Sequence, residues 1–418
     1  MRTKSEIMEM IEEEGVEFIR LQFTDMVGRL KNLAVTPGQM ELVLQNKYSL
    51  EGPALFGDDE IFDRELYLYP DFDSFAVLPW RPQQGKVAKL FCELHNEDGS
   101  DFEMNTRAKL KRVLADAAED GYTFMVDPEI EFFLFHTDEN GLPTTISHER
   151  AGLMDVGPAD FGENARRNMV FNLTEMGFEI ESSHHEKAVA QHEIDFKEDE
   201  ALKMADAIHT FKFAVRSVAK QFGLYVTFMP KPKSEEAGSG MHTKIAILKD
   251  GENIFDGPDG DKMAEYFIGG IVSHINAICA ITNSTVNSYK RLADVFVGHN
   301  KKIWSGKGEC AAAKVRKCYN GKKVELRFLD ACTDSYTALC VCIAAGMEGI
   351  HNQTPIDQDA HLPEDLKDAI AGLKSDAFIC DLLGEEFVKY YCRYKGQEWK
   401  DYMKQVSTWE VERYLNRL

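Results

Sequence analysis

Features that mark membrane, secreted or disulfide-bonded proteins are missing from this 418-residue sequence. No apolar run reaches the roughly 20 residues that a membrane-spanning helix needs. The N-terminal segment MRTKSEIMEMIEEEG lacks the apolar core of a secretion signal. The nine cysteines form no CxxC pair, and several stand in apolar, helix-like stretches, as is typical of reduced thiols. We therefore expect a cytoplasmic protein with no membrane partner.

Positive charge is also scarce. Lysine and arginine number 48 against 70 aspartates and glutamates, which gives a formal net charge of −22. Such a chain repels a polyanion unless its basic residues are gathered on one face, and the sequence contains no basic run that would form such a face. The composition therefore predicts no nucleic-acid partner.

The sequence also lacks the HExxH spacing of zinc hydrolases. In SHHEKAVAQHEIDF (183–196), His184, His185, Glu186 and His192 stand close together, but no two of the histidines are four residues apart, as that motif requires. A zinc hydrolase is therefore the weaker interpretation of this stretch.

No internal repeat or low-complexity segment divides the chain, but its pattern changes near residue 103. Residues 1–102 consist mainly of short alternating stretches broken by Gly, Pro and Asp, which predicts a small sheet domain behind one helix. A helical period then begins at Leu110 and stops at Gly121. Helical segments alternate with short strands through residues 103–418, which indicates an α/β or α+β domain around a curved sheet.

The chain ends in STWEVERYLNRL, whose pattern predicts a capped amphipathic helix. Ser407 and Glu410 have the spacing of a capping box, and the apolar residues from Val411 to Leu418 fall on one helical face. We expect this face to dock, either on its own subunit or on a neighbouring one.

Three strand-like stretches carry charged residues on one face. Side chains two apart in a strand share a face, and the pairs in question are Glu129 with Glu131, Glu193 with Asp195, and Glu325 with Arg327. Each pair alone fits an ordinary solvated strand face. Together they indicate a divalent cation, and oxygen ligands in excess favour magnesium or manganese over zinc. The segment GSGMH (238–242) adds glycines whose backbone can approach a ligand closely, and a histidine that enters a strand.

These stretches, taken together and in order, resemble the glutamine synthetase family over nearly the whole chain. The matching segments are DPEIEFFLF, SHHEKAVAQHEIDF, VTFMPKPKSEEAGSGMH, DGENIFDG, NSYKRL, KVELR and STWEVERYL. The resemblance implies an α+β protein, with an N-terminal β-grasp domain (1–102) and a catalytic domain with a curved half-barrel sheet and helices (103–418). It also implies a ring-shaped homo-oligomer with active sites between subunits.

The chemistry that the resemblance implies is a two-step ligation. ATP, a co-substrate, phosphorylates the side-chain carboxylate of glutamate, and ammonia displaces the phosphate while two or more Mg²⁺ or Mn²⁺ ions neutralise the phosphate oxygens. By motif position, the ligands of the first metal are Glu131, Glu186 and Glu193. Those of the second metal are Glu129, His242 and Glu325. The amino-acid substrate would be held by Arg291, Arg327 and the backbone near Gly238.

The sequence departs from the family where ammonium and phosphate are expected to bind. Val297 stands where the family has a glutamate that takes a proton from ammonium, and Glu51 replaces an aspartate that attends the same ion. Lys244 replaces a histidine, and Glu309 and Lys314 fall at positions of phosphate-binding arginines. Lys323 replaces another arginine, and lysine keeps the charge but loses the bidentate fork. We predict phosphate or nucleotide contacts from Lys244, Lys314 and Lys323, and catalytic roles for Arg291 and Glu51.

Three hypotheses follow. The first is an ATP-dependent carboxylate–amine ligase that joins glutamate, or a close analogue, to an amine other than ammonia, because valine suits a larger or less basic amine. The second is an ordinary glutamine synthetase. The third is a family member with lost or altered catalysis that binds metal and amino acid as a regulator.

Overall fold

The computed structural model of the chain describes residues 2–57, 60–81, 84–293, 303–304 and 311–417. Its fourteen α-helices in these ranges are α1 (Lys4–Glu13), α2 (Met40–Leu44), α3 (Gly52–Phe56), α4 (Thr106–Glu119), α5 (Glu163–Glu175), α6 (Ala201–Ala219), α7 (Gly260–Ser273), α8 (Ile275–Thr282), α9 (Val286–Leu292), α10 (Ser335–Asn352), α11 (Leu366–Ser375), α12 (Ala377–Leu383), α13 (Glu385–Met403) and α14 (Thr408–Tyr414). Short 3₁₀ helices cover Pro37–Gln39, Glu60–Phe62 and Lys220–Phe222.

The N-terminal sheet has five strands. They are β1 (Val16–Thr24), β2 (Leu30–Val35), β3 (Ser49–Glu51), β4 (Glu65–Val77) and β5 (Lys86–His95). The spatial order is β2-β1-β5-β4-β3; β1 and β5 run parallel, and the other neighbours are antiparallel. Helix α1 buries Ile7 and Ile11 in the core beside this sheet. A mixed sheet behind one helix is the β-grasp arrangement that the sequence predicted.

The larger sheet has nine strands. They are β6 (Tyr122–His136), β7 (Ile180–His185), β8 (Gln191–Phe196), β9 (Asp199–Glu200), β10 (Leu224–Thr227), β11 (Met241–Lys249), β12 (Glu252–Asn253), β13 (Ala313–Cys318) and β14 (Gly321–Leu326). Six strands follow the spatial order β13-β14-β11-β6-β8-β7. In addition, β9 and β10 pair with β6, and β12 pairs with β11. The apolar side chains of one face, among them Ile130, Ile194 and Ile245, are buried in a hydrophobic core shared with the helices. The charged residues described below lie on the opposite face of the same strands. The two sheets and their surrounding helices confirm the mixed α+β class.

A buried arginine joins the small sheet to helix α6. Asn105 caps the N-terminus of α4, whose second residue, Arg107, is 3 % exposed. Its guanidinium contacts Asp71 (2.5 Å) and Glu93 (2.5 Å) of the small sheet and Asp206 (2.8 Å) of α6. The helix ends before Gly121, which has the positive φ of +80° that stops a helix. The predicted stop at Gly121 is confirmed.

The C-terminal helix α14 has the predicted capping box, since Ser407 and Glu410 bond each other's backbone N–H. No residue of α14 is buried, and Trp409, Val411 and Tyr414 are 57, 44 and 44 % exposed. Docking of this helix on its own subunit, one of the two expected alternatives, is therefore not observed in the described chain.

Helices α7 and α8 are apolar and meet at a sharp bend. No single helix in the described ranges is long and apolar enough to cross a membrane, although α7 and α8, bent by 78° at their junction, pass that test as a pair.

Candidate active site

The first predicted metal set comes together on the large sheet. Glu131 on β6 lies opposite Glu193 on β8 in the strand register, and Glu186 follows the end of the neighbouring β7. The ligand atoms of the three carboxylates lie within 4.8 Å of one another. Antiparallel pairing of two strands, each with an acid on the same face, explains why the sequence produces this cluster.

The charges of this cluster are poorly compensated. Burial, followed by the charges of Glu131, Asp195 and Glu186, raises the pKa of Glu193 to about 11. Burial also raises the pKa of Glu131, although its Oε2 accepts hydrogen bonds from Gly240 N (2.8 Å) and Gln191 Nε2 (3.1 Å). Three crowded oxygen donors with unbalanced negative charge fit a hard divalent cation such as Mg²⁺ or Mn²⁺.

This electrostatic imbalance predicts a stability that depends on pH and metal. Between pH 4.5 and the raised pKa of about 11, folded Glu193 keeps a proton that the unfolded chain has released. The free energy of unfolding of the metal-free protein should therefore fall as pH rises, by at most about 1.4 kcal/mol per pH unit for this one group. Thermal unfolding in EDTA at pH 5.5, 7.0 and 8.5 measures the slope.

Mn²⁺ should flatten that slope, because a bound cation keeps the carboxylates ionised in the folded state. Glu193→Gln should flatten it without metal, because the amide does not titrate. Equal slopes in EDTA, in Mn²⁺ and in the variant would contradict the assignment.

The second predicted metal set also comes together. Glu129 on β6 lies opposite His242 on β11, and Glu325 on β14 completes a group whose ligand atoms lie within 4.8 Å. His242 Nδ1 is 3.1 Å from Glu129 Oε2 and 4.0 Å from Glu325 Oε1. Burial alone would raise the pKa of Glu129, but the hydrogen bond from His242 and the charge of Lys244 outweigh it and hold that pKa well below 4.5.

Basic side chains surround the second set. In one row across the sheet, Lys314, Glu325, Lys244 and Asp127 are successive partners on β13, β14, β11 and β6. Lys244 Nζ lies 2.7 Å from Glu129 Oε1, and Lys314 Nζ lies 3.3 Å from Glu325 Oε2. Two of the three lysines predicted to contact phosphate therefore stand beside the second set.

Arg316 also lies beside the second set, and the sequence interpretation missed it. Its Nη1 is 3.2 Å from Glu129 Oε1 and 3.6 Å from Glu325 Oε2. Arg316 stands two residues after Lys314 on β13, so the strand parity applied to the acids also places it on this face.

The third predicted phosphate ligand, Lys323, is buried in a different pairing. Its Nζ lies 2.8 Å from Asp127 Oδ2 and 2.7 Å from Glu198 Oε2. Asp127 is shared with Lys244, whose Nζ is 3.4 Å away. Lys323 is thus linked to the second set through Asp127, without an ion pair to the set itself among the described residues.

Arg291, a predicted substrate ligand, is 1 % exposed and bound to protein acceptors. Its Nε donates to Asp330 Oδ1 (2.8 Å), and its Nη2 donates to the carbonyls of Phe328 and Leu329. The side chain passes under the GSG segment, where a Cβ on Gly238 would lie 2.3 Å from Pro230 O and 2.8 Å from Arg291 Cγ. Only glycine fits at position 238. Arg291 packs against this segment, whose Gly240 N–H donates a hydrogen bond to Glu131.

Arg327, the other predicted substrate arginine, is half-buried beside the second set. Its Nε is 3.5 Å from Glu325 Oε1. The structure therefore places Arg327 at the same site as the predicted metal ligands.

Two histidines of SHHEKAVAQHEIDF are buried, and each directly precedes a glutamate of the first set in the chain. His185 is fully buried, with Nε2 2.7 Å from Glu149 Oε1 and Nδ1 2.7 Å from the carbonyl of Glu186. His192 accepts a hydrogen bond at Nδ1 from Arg166 Nη1 (2.8 Å), which puts its proton on Nε2. His192 then has no free lone pair for a metal ion, which favours a supporting role for this histidine over cation binding.

Other predicted positions are not brought to these clusters. Glu51 is exposed at the end of β3, at the edge of the small sheet, where it pairs with Glu65. Val297 and Glu309 lie outside the described residues. Glu149, Asp160 and Arg166 were missed, because the loop that carries Glu149 and Asp160 has no strand or helix period to place it.

Comparison with known proteins identifies the family. Residues 15–97 match "Glutamine synthetase, beta-Grasp domain", and residues 103–414 match "Glutamine synthetase, catalytic domain". The chain belongs to the glutamine synthetase family. Among curated relatives of this family member, "Glutamine synthetase" of Clostridium saccharobutylicum is 44 % identical over 99 % of both chains. "Glutamine synthetase" of Staphylococcus epidermidis is 38 % identical over 99 % of this chain and 98 % of its own.

Two solved structures share the fold of this glutamine synthetase family member at 29 % identity, over 98 % of this chain and 99 % of theirs. "Apo GmaS without ligand" superposes with a TM-score of 0.87, and "GmaS/ADP complex-Conformation 1" with 0.89. The chain is thus an ATP-dependent ligase of the glutamine synthetase family.

Proposed function

We propose that this protein joins glutamate to an amine other than ammonia, with ATP forming an acyl phosphate on the side-chain carboxylate of glutamate. The observation that carries the choice of amine is Val297, which the resemblance places where a glutamate would take a proton from ammonium. Valine leaves room for an alkyl group and accepts no proton. The two GmaS structures support the proposal, because GmaS is a gamma-glutamylmethylamide synthetase.

In this proposal each of the two acidic sets binds one divalent cation. Glu131, Glu186 and Glu193 hold one divalent cation, and Glu129, His242 and Glu325 hold another with the nucleotide. Bound Mg²⁺ or Mn²⁺ supplies charge neutralisation to the transferred phosphoryl group.

Basic side chains complete the proposed site. Lys244, Lys314 and Arg316, which lie on one face with the second set, neutralise phosphate oxygens as negative charge moves to them. Arg327 binds the carboxylate of glutamate, and the GSG backbone braced by Arg291 faces the amino group. Lys323 shares Asp127 with Lys244 and so supports the basic side of the site through that carboxylate.

We also propose a ring-shaped homo-oligomer with sites shared between subunits. The exposed apolar residues of the C-terminal segment, among them Val406, Trp409 and Leu415, support an intersubunit contact. Glu51, exposed at the edge of the small sheet and a member of neither acidic set, would then act at a neighbouring subunit's site. The two family matches, 15–97 and 103–414, support the division into domains 1–102 and 103–418.

Amine-dependent ADP release tests the proposed function. Purified protein is incubated with ATP, Mg²⁺ or Mn²⁺ and L-glutamate, and ADP is measured with ammonium and with methylamine, ethylamine, propylamine and longer primary amines. We expect kcat/KM for at least one amine to exceed that for ammonium about tenfold or more. Reactions without glutamate or without amine are the controls.

The second candidate is an ordinary glutamine synthetase, which the 44 % identity to a relative of that name favours. It predicts that ammonium is preferred over every amine in the panel. A regulator without catalysis would release no ADP with any amine, yet would bind glutamate in a metal-dependent way by calorimetry.

A further inference from the structure

The second acidic set has an unusual balance of charge. Its two carboxylates, Glu129 and Glu325, form ion pairs within 4.0 Å with four permanently charged side chains: Lys244, Lys314, Arg316 and Arg327. Both oxygens of Glu129 are engaged, Oε1 by Lys244 (2.7 Å) and Arg316 (3.2 Å), and Oε2 by His242 (3.1 Å). The two Glu129 oxygens that a second cation would use are therefore already engaged by side chains of the protein.

The first acidic set differs in this respect. In the described part of the chain, the ion pairs of its carboxylates are with His184, which lies 3.4 Å from Glu193 and 3.7 Å from Glu186. Three carboxylates therefore face one titratable base, whereas at the second set two carboxylates face four fixed cations. A divalent ion is attracted to the first set and opposed at the second.

The backbone fixes Lys244 at the second set. It follows His242 by two residues on β11 and therefore shares its face of the sheet, between Glu325 on β14 and Asp127 on β6 in the strand register. Its side chain is only 8 % exposed, and Asp127 is a second acceptor 3.4 Å away. The ammonium thus has a partner to retain when it leaves Glu129.

We infer that Lys244 is the resident cation of the second set, and that it competes with the second divalent ion for Glu129 until a nucleotide phosphate draws it away. This inference rests on the proposed metal roles of the two sets. Lys244 then has two successive partners: Glu129 in the free protein and a phosphate oxygen in the nucleotide complex. Binding of nucleotide and of the second ion is then coupled through Lys244.

Mn²⁺ titration without nucleotide tests the inference. Free Mn²⁺ is measured by electron paramagnetic resonance, with calorimetry in parallel, for the wild type, Lys244→Met, Lys244→Arg and Lys322→Met. The second-site affinity should rise about tenfold in Lys244→Met, because the competing charge is gone. It should stay within about twofold in Lys244→Arg, which keeps the charge, and in Lys322→Met, which breaks a lysine pair with Asp261 elsewhere. The first-site affinity should not change.

Two further titrations test whether the gain in Mn²⁺ affinity arises at the second set. In a His242→Ala background, which removes a second-set ligand, Lys244→Met should give no gain. A non-hydrolysable ATP analogue should raise the second-site affinity of the wild type far more than that of Lys244→Met. Unchanged second-site affinity in Lys244→Met, or a gain that persists with His242→Ala, would overturn the inference. Because the titration involves no amine or turnover, failure of the amine assay leaves it standing, and the reverse also holds.

Discussion

Glu131→Gln should lower kcat/KM about a thousandfold or more, and it should raise the thermal stability of the metal-free protein. The amide keeps an oxygen for the hydrogen bond from Gly240 N, which is 2.8 Å away, but loses the charge that a cation requires. Loss of metal assistance is worth several kcal/mol, and each 1.36 kcal/mol is about tenfold in rate. Removal of one of three crowded carboxylates also relieves repulsion in the fold. Steady-state kinetics and thermal unfolding in EDTA measure the two effects.

The opposite signs of these effects distinguish a metal site from a purely structural acidic cluster. Glu179→Gln is a matched control, because Glu179 is an exposed acid paired with Lys197 and belongs to neither set. It should change neither rate nor stability by more than about twofold or about 0.5 kcal/mol. A Glu131→Gln enzyme with normal turnover would refute the metal assignment of the first set.

Arg291→Ala should lower the free energy of unfolding by about 3–5 kcal/mol, the usual loss when one partner of a buried ion pair is removed. Asp330 is fully buried, and burial already raises its pKa while Arg291 acts to lower it. Without the guanidinium, Asp330 and the carbonyls of Phe328 and Leu329 would each lose one of their hydrogen-bond donors. Urea-induced unfolding of the variant and the wild type measures the difference.

The pairing itself is tested by the double variant Arg291→Ala with Asp330→Asn. It should be more stable than Arg291→Ala alone, because the uncompensated charge has been removed as well. A double variant that loses the sum of the two single losses would show that the two side chains are not coupled. Arg291→Lys keeps the charge without the fork, and where it stays folded its KM for glutamate tests the predicted substrate role.

Strand parity and family resemblance contributed different parts of the site. Parity placed Glu129 and Glu131 on one face, and the structure confirms this, but parity did not show that they belong to different sets. Their separation follows from β6 pairing with β11 on one side and with β8 on the other. The resemblance supplied that division, because it carries the order of strands that a single sequence does not reveal.

The remaining features depend on contacts that local patterns do not encode. The approach of Lys244 to Glu129 requires the register of β11 against β6, and the contact of Glu149 with His185 joins residues 36 apart through a loop. The C-terminal helix shows the reverse case. The spacing of its apolar residues predicted an apolar face, and the structure leaves that face exposed. Such a pattern predicts that a face is buried, but it does not identify the surface against which the face packs.

A competition assay tests the choice of amine most directly. ATP, Mg²⁺ and L-glutamate are supplied with equal concentrations of ammonium and the best amine of the panel, and the two γ-glutamyl products are quantified by mass spectrometry at low conversion. The product ratio equals the ratio of the two kcat/KM values under these conditions. We expect the substituted amide to exceed glutamine about tenfold or more. A mixture in which glutamine predominates over every amine tested would contradict the account.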